Sequence, residues 1–376
     1  MSQLSYMEKL LDGVEVEWKS LSDIATITIG DFVHKNNQDS SAKYPVYNGG
    51  ISPTGYYEKY NNTGNKIIVS ARGANAGFVN RISQPYWAGN SCYSVGVKNS
   101  AEINWTYVFY FLKNAENKLI GNQQKGGIPA VSKKQMEVFQ IPIPPLNVQA
   151  EIVRILDTFT ELTAELTAEL TARQQQYAYY REQLLTSFND DETEIKTLKD
   201  IFIMKAGQHI SASKISANKS TSHIYPCFGG NGIRGFVDEK SHDGSYLLIG
   251  RQGALCGNVH RMSGEFYATE HAVVVTAKDG INIDWAFHKL TLMNLNQYAS
   301  KSAQPGLAVG KLAGLKVSVP SLDEQERIAA ILDKFEAITA SLTEGLPREI
   351  ELRQQQYEYY RDLLLSFPKP EVVAHD

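Results

Sequence analysis

Apolar and polar positions along this chain follow two alternating patterns. From about Gln149 to Ser187, Ile152, Ile155, Phe159, Leu162 and Leu166 fall three and four apart. Leu170, Arg173, Tyr177, Tyr180 and Leu184 then resume the same rhythm. That spacing makes one stripe along a helix. No Gly or Pro interrupts it, and its recurring Leu, Ala and Glu are good helix formers. At its centre stand two tandem tetrads, Thr163-Ala164-Glu165-Leu166 and Thr167-Ala168-Glu169-Leu170. Leu162, Leu166 and Leu170 are consecutive steps of four, so the heptad slips there and the seam locally unwinds. With a rise of about 1.5 Å per residue, such a helix is roughly 55–60 Å long and needs a partner to bury its stripe.

The partner is in the same chain. The run from Arg173 to Leu185 (RQQQYAYYREQLL) returns from Arg353 to Leu365 (RQQQYEYYRDLLL), and Gln149–Asp157 returns as Gln325–Asp333. Two long amphipathic helices are therefore expected, packed as an antiparallel coiled coil. Gly345-Leu346-Pro347 falls where the distal repeat is longer than the central one, which predicts a kink or break. Tyr6–Leu11 resembles Tyr180–Leu185, so residues 1–13 are expected to pack beside the distal helix.

Between the helices the pattern changes to short β-runs, Lys66–Ser70 and Tyr93–Val97 in one stretch, Ser245–Ile249 and Ala272–Thr276 in the other. Gly- and Asn-rich turns separate them. A helix is expected near Trp105–Asn114 and another near Trp285–Leu295, and each stretch closes on a Pro-terminated strand, Phe139–Pro145 or Leu315–Pro320. The predicted class is α+β: two related α/β recognition domains separated by two long antiparallel coiled-coil helices, pseudo-two-fold symmetric. The expected boundaries are 1–13, 14–145 (first lobe), 146–188 (central helix), 189–320 (second lobe) and 321–376 (distal helix and tail).

Composition changes this picture in one respect. No apolar run reaches the roughly 18–20 residues of a membrane span, and no signal-peptide pattern opens the chain. Cys92, Cys227 and Cys256 are widely spaced without a CxxC pair, which fits a reducing cytoplasm and no structural metal. The net charge of −4 is unevenly spread: residues 14–145 carry +4 and 194–320 carry +5, whereas 146–193 and 321–376 carry −6 each. Two basic lobes alternate with two acidic helices, and the lobes are where a polyanion would dock.

Catalytic signatures are missing. The sequence holds no GxxxxGKS phosphate loop, no strand-borne GxGxxG, no [DNS]PP[YFW] tetrapeptide and no HExxH. What the lobes do offer is Gly-framed loops around Arg72 and Arg251, whose forked guanidinium groups suit a phosphate or a guanine edge. The same glycines equally suit a tight β-turn with solvated arginines. Further candidates for phosphate or base contact are Lys35, Asn36, Asn48, Asn75, Arg81, Lys125, Lys133 and Lys134 in the first lobe. In the second they are His209, Lys214, Asn231, Arg234, Gln252, His260, Arg261 and Lys301. Each alone reads as an ordinary surface residue; as a set on positive lobes they favour nucleic acid. On the helices, Tyr177, Tyr179, Tyr180 and Arg181, with Tyr357, Tyr359, Tyr360 and Arg361, suit either the seam or a docking surface for a partner.

Two divergent lobes alternating with two near-identical helices resemble the specificity (S) subunit of type I restriction–modification enzymes. The Thr-Ala-Glu-Leu tandem, with Ile-Leu-Asp-x-Phe and Gln-Tyr-x-Tyr-Tyr-Arg, resembles the IC subgroup. The resemblance implies a non-catalytic DNA-recognition subunit whose lobes each read one half of an asymmetric, bipartite site. The helices would set the spacer and dock two modification (M) subunits, and two restriction (R) subunits would join. S-adenosylmethionine, ATP and Mg would sit on those partners, with no cofactor in this chain. The rival readings are a coiled-coil scaffold with protein- or glycan-binding lobes, and a self-sufficient methyltransferase.

Overall fold

The computed structural model describes residues 6–120, 129–186, 193–253, 255–301, 305–341 and 344–368. They fall into two compact units, residues 1–165 with 350–376, and residues 166–349.

In the first unit a four-stranded antiparallel sheet orders Ala25–Ile29, Cys92–Val97, Lys66–Ser70 and Val79–Ile82. A smaller sheet pairs Tyr44–Tyr47 antiparallel with Gly55–Tyr57 and parallel with Trp87–Ala88. Glu17–Ser20 pairs antiparallel with Gln140–Ile143, so the strand entering the lobe lies against the strand leaving it. The helix Trp105–Asn114 is capped by Asn104, whose Oδ1 accepts from the backbone N–H groups of Thr106 and Tyr107.

The second unit repeats the plan with one change. Six strands join one sheet in the order Phe202–Ala206, Ala272–Ala277, His242–Gly250, Val259–Ala268, Tyr225–Gly229 and Gly232–Val237. Val259–Ala268 runs unbroken where the first unit has two short strands, Val79–Ile82 and Trp87–Ala88. Pro85 lies between those two and cannot donate to a ladder, which accounts for the two separate sheets. Thr193–Thr197 pairs with Lys316–Pro320, and Asn282 caps Ile283–Leu292 as Asn104 caps its counterpart.

The central helix is continuous from Leu146 to Thr186. Its fully buried apolar residues stand near its ends. Ile152 and Leu156 join Met7, Tyr107, Ile141, Leu364 and Leu365 in the core of the first unit. Leu185 joins Trp285, Val317, Ile328 and Leu332 in that of the second. The tandem leucines Leu166 and Leu170 are only half-buried. Threonine hydroxyls near the tandem turn back on their own helix: Thr163 Oγ1 donates to Phe159 O at 2.8 Å and Thr171 Oγ1 to Thr167 O at 2.9 Å. The distal repeat is two helices, Leu322–Thr339 and Gly345–Leu364, with Gly345 at a φ of +78° where the second begins. Leu322–Thr339 packs against the second half of the central helix, and 350–364 lies with its first half. Tyr177 and Tyr180 stack on Phe335 in the second unit, and Tyr360 stacks on Phe159 in the first. No described helix is long and apolar enough to cross a membrane.

Candidate nucleic-acid interface

The Gly loops of the two lobes share one hydrogen-bonded frame. In the first, Ala71 N donates to Ser91 O (2.8 Å), Val131 N to Ala71 O (2.8 Å) and Gly73 N to Pro129 O (2.9 Å). In the second, Arg251 N donates to His271 O (2.8 Å), Leu307 N to Arg251 O (2.9 Å) and Gly253 N to Pro305 O (2.9 Å). Each loop is thus held between a strand end and a proline-bearing segment, with Arg72 bridging Ala130 and Gln252 bridging Gly306. This bonding equates Arg72 with Gln252 and Ala71 with Arg251. A second loop rests on each frame: a Cβ at Gly49 would lie 2.9 Å from Ser91 O, and one at Gly230 would lie 2.9 Å from Gln252 O. Only glycine allows that approach.

Arg72 and Gln252 are exposed, as is Asn75 in the turn beyond Arg72. Asn48 Oδ1 is buried without a hydrogen-bond partner. Arg251 is tied back, its Nη1 donating to Glu270 O at 3.3 Å. A cleft of about 280 Å³ is lined by Gly230, Arg234, Gln252, Gly253 and His271. His271 Nδ1 donates to Gln252 Oε1 at 2.7 Å within it. His209 lies 2.9 Å from the Glu270 carboxylate. Burial alone would raise the pKa of Glu270, but the hydrogen bond with His209 and the charge of His271 hold it below its ordinary value.

The remaining lobe candidates are dispersed. Lys35 and Asn36 sit exposed on a 3₁₀ turn, as does Lys214. Lys133 and Lys134 are exposed on the helix Lys133–Glu137, with Lys133 3.6 Å from Glu137. Asn231 Oδ1 accepts from Asn258, and Lys301 is exposed. Lys125 lies outside the described residues. His260 is half-buried with its Nε2 unpartnered, and burial pushes its pKa down.

Arg81 and Arg261 are each bound to a helix of their own unit. Arg81 Nη2 meets Asp157 Oδ1 at 2.9 Å, and Tyr110 Oη donates to the same oxygen at 2.6 Å. Arg261 bonds Asp333 (2.6 Å), Asp284 (2.9 Å) and Glu336. His288, six residues from its N-cap as Tyr110 is from its own, places Nε2 2.8 Å from Asp333 Oδ1. The guanidinium groups lie over Phe109 and Phe287, at 5.1 and 4.1 Å from the ring centroids. His288, Asp333 and Glu336 offer metal-ligand atoms within 4.8 Å of one another, but Arg261 already supplies the opposing charge.

A second fastening escaped the sequence reading altogether. Gln149, fully buried in the first turn of the central helix, accepts from Asn104 N (2.8 Å) and donates to Glu102 O (3.0 Å) and Pro144 O (2.8 Å). Gln325 repeats this with Asn282 N (2.9 Å), Gly280 O (3.2 Å) and Pro320 O (2.9 Å). The available signal was a glutamine at the same place in both helical repeats, beside apolar residues.

On the helices, Arg181 lies over Tyr177 (5.2 Å) and Arg361 over Tyr357 (5.8 Å). Tyr179 and Tyr359 are 60% and 65% exposed, which leaves both available for a partner.

The family model described as the type I restriction modification DNA specificity domain matches twice, over residues 13–173 and 190–352. The EcoprrI specificity subunit of Escherichia coli is 49% identical, over 92% of this chain and 93% of its own length. The Escherichia coli EcoR124I/EcoR124II specificity subunit is 35% identical over the full length of both. In fold, the crystal structure of a type I restriction–modification S subunit from M. genitalium is similar, with a TM-score of 0.65 at 17% identity, covering 96% of this chain and 98% of that one. None of these matches favours a protein- or glycan-binding scaffold.

Proposed function

This chain belongs to the type I restriction–modification DNA specificity family, a family of non-catalytic DNA-recognition subunits, and we propose that it reads a bipartite, asymmetric site, one half per lobe. The carrying observation is duplication: the family model fits twice, and the bonded loop frame occurs once in each lobe. The contact set comprises Arg72, Asn48, Asn75, Lys35, Asn36, Lys125, Lys133 and Lys134 in the first lobe. In the second it comprises Gln252, Arg251, Arg234, His209, Lys214, Asn231, His260 and Lys301, with His271 beside Gln252 in the cleft. Arg81 and Arg261 are left out because helix carboxylates hold them. Positive lobes draw the duplex, so binding weakens steeply with salt.

The exposed tyrosines Tyr179 and Tyr359 mark the surfaces that dock two M subunits, with two R subunits joining in the cytoplasm. S-adenosylmethionine, ATP and Mg belong to those partners. The tandem tetrads set the spacer. Four residues change a helix by about 6 Å and 40°, against about 3.4 Å and roughly 35° for one base pair.

Inserting one Thr-Ala-Glu-Leu after Leu170, then mapping N6-methyladenine in cells carrying the chain with its M partner, tests this reading. The expected motif keeps both half-sites and gains spacer length. An altered half-site, or a motif without two halves, would refute it.

A further inference from the structure

Arg72 and Gln252 occupy one position in two copies of the same frame. Each is exposed, and each stands between a residue bonded to the strand end and a glycine bonded to a proline carbonyl. Their backbones are therefore presented alike while their chemistry differs. Arginine offers a fork of donors, which matches the O6 and N7 acceptors of guanine. Glutamine offers a donor beside an acceptor, which matches N7 and the N6 amino group of adenine.

Gln252 is also oriented in advance. The bond from His271 Nδ1 to Oε1 fixes the amide plane, leaving one lone pair on Oε1 and both Nε2 hydrogens for a base edge. The cleft around it is floored by Gly230 and Gly253, neither of which puts a side chain in the way. Arg251, the arginine singled out in this loop by sequence, is turned to the Glu270 carbonyl.

Building on the bipartite reading above, we propose that Arg72 and Gln252 are equivalent base-reading side chains, Arg72 specifying a guanine in one half-site and Gln252 an adenine in the other. The test maps N6-methyladenine genome-wide for the full chain expressed with its M subunits, as wild type and as Arg72→Gln, Gln252→Arg and the two alanine variants. Arg72→Gln should move one position of one half-site from guanine towards adenine, and Gln252→Arg should do the reverse in the other half. Discrimination at the affected pair should change by roughly 5- to 150-fold. Each alanine variant should relax that position alone. Both side chains are exposed, so thermal melting should match wild type and separate misfolding from altered reading.

An unchanged motif overturns the inference. So does a loss of methylation spread evenly over all sequences, which is the mark of a phosphate contact. A wild-type motif lacking two halves would overturn the bipartite reading and this inference with it. A two-part wild-type motif that ignores both substitutions would overturn this inference alone.

Discussion

The two lobes are fastened to their helices at the same places with different chemistry. In the first, one carboxylate, Asp157, takes Arg81 and the Tyr110 hydroxyl. In the second, Asp333 takes Arg261 and His288, and Glu336 and Asp284 crowd the same guanidinium. Thr160, one turn from Asp157, stands where Glu336 stands one turn from Asp333. The glutamine fastenings, by contrast, use the same three backbone groups, one N–H and two carbonyls, in both lobes. The uncharged bolt thus sets the geometry of each lobe on its helix. The charged clasp differs between the lobes, and in the second it includes a histidine, His288.

The largest effect should follow from breaking the bolt. Gln149→Leu or Gln325→Leu strands a backbone N–H and two carbonyls in a buried setting, where each unsatisfied group costs about 1–3 kcal/mol. With partial rescue by relaxation we expect a loss of about 2–5 kcal/mol in urea unfolding of the full chain, similar for the two variants. A loss under about 1 kcal/mol in either would show that the bolt is dispensable.

That bolt also marks where sequence reading stops. The central helix was legible because its three-four spacing is unbroken. The break in the distal one was legible because Gly345 and Pro347 interrupt the same pattern. The strands Lys66–Ser70 and Ala272–Ala277 announced themselves as apolar runs between turns. Arg81 and Arg261 were not legible as clasps, since a basic residue on a strand looks alike whether its partner is a phosphate or a carboxylate far along the chain. Only the repeated Asp157 and Asp333, on the shoulder of the apolar stripe, hinted at a partner. The equivalence of Arg72 with Gln252 was hidden too. Matching the glycines leaves the arginine's register open, and the bonds to Ser91 and His271 settle it.

The clasps should separate next. Arg81 and Asp157 are each about one-third exposed, 33% and 30%, so Arg81→Met should cost only about 1 kcal/mol. Arg261→Met leaves Asp333, Glu336 and Asp284 without their shared cation, and about 2–3 kcal/mol is expected after allowing for solvent screening. Adding Glu336→Gln to Arg261→Met should recover part of that loss, since it removes one of the uncompensated charges. Amide exchange of Val259–Ala268 and Val79–Ile82 reads the two lobes separately. Equal costs would sink the claim that the second clasp is the more heavily charged of the two.

The smallest effect is one of pH, and it should be confined to the second lobe. Burial, reinforced by the Arg261 guanidinium, holds the pKa of His288 below its ordinary value of 6.5, so the folded unit takes up this proton less readily than the unfolded chain. Its neutral ring fits the local bonds, with Nε2–H donating to Asp333 and Nδ1 3.2 Å from the Tyr177 hydroxyl. Stability is therefore complete above about pH 6.5 and falls as the pH drops below it, by at most about 1.4 kcal/mol per unit. Glu336 is shifted the other way: burial raises its pKa, so the folded state holds that proton more tightly and offsets part of the loss at more acid pH. Asp333 is held below its ordinary value despite burial, by its bonds to Arg261 and His288, so its contribution is lost only below the usual carboxylate range. Asp284, Arg181 and Tyr177 complete the charged and titratable groups around the ring. The first clasp has Tyr110 instead, whose pKa burial raises far above this window. Amide protection of Ile283–Leu292 should therefore fall between pH 7 and 5.5 while that of Trp105–Asn114 stays level, and His288→Gln should flatten the difference. A matching decline in both helices, or a decline that survives His288→Gln, would place the titrating group elsewhere and reduce the contrast between the clasps to one of charge alone.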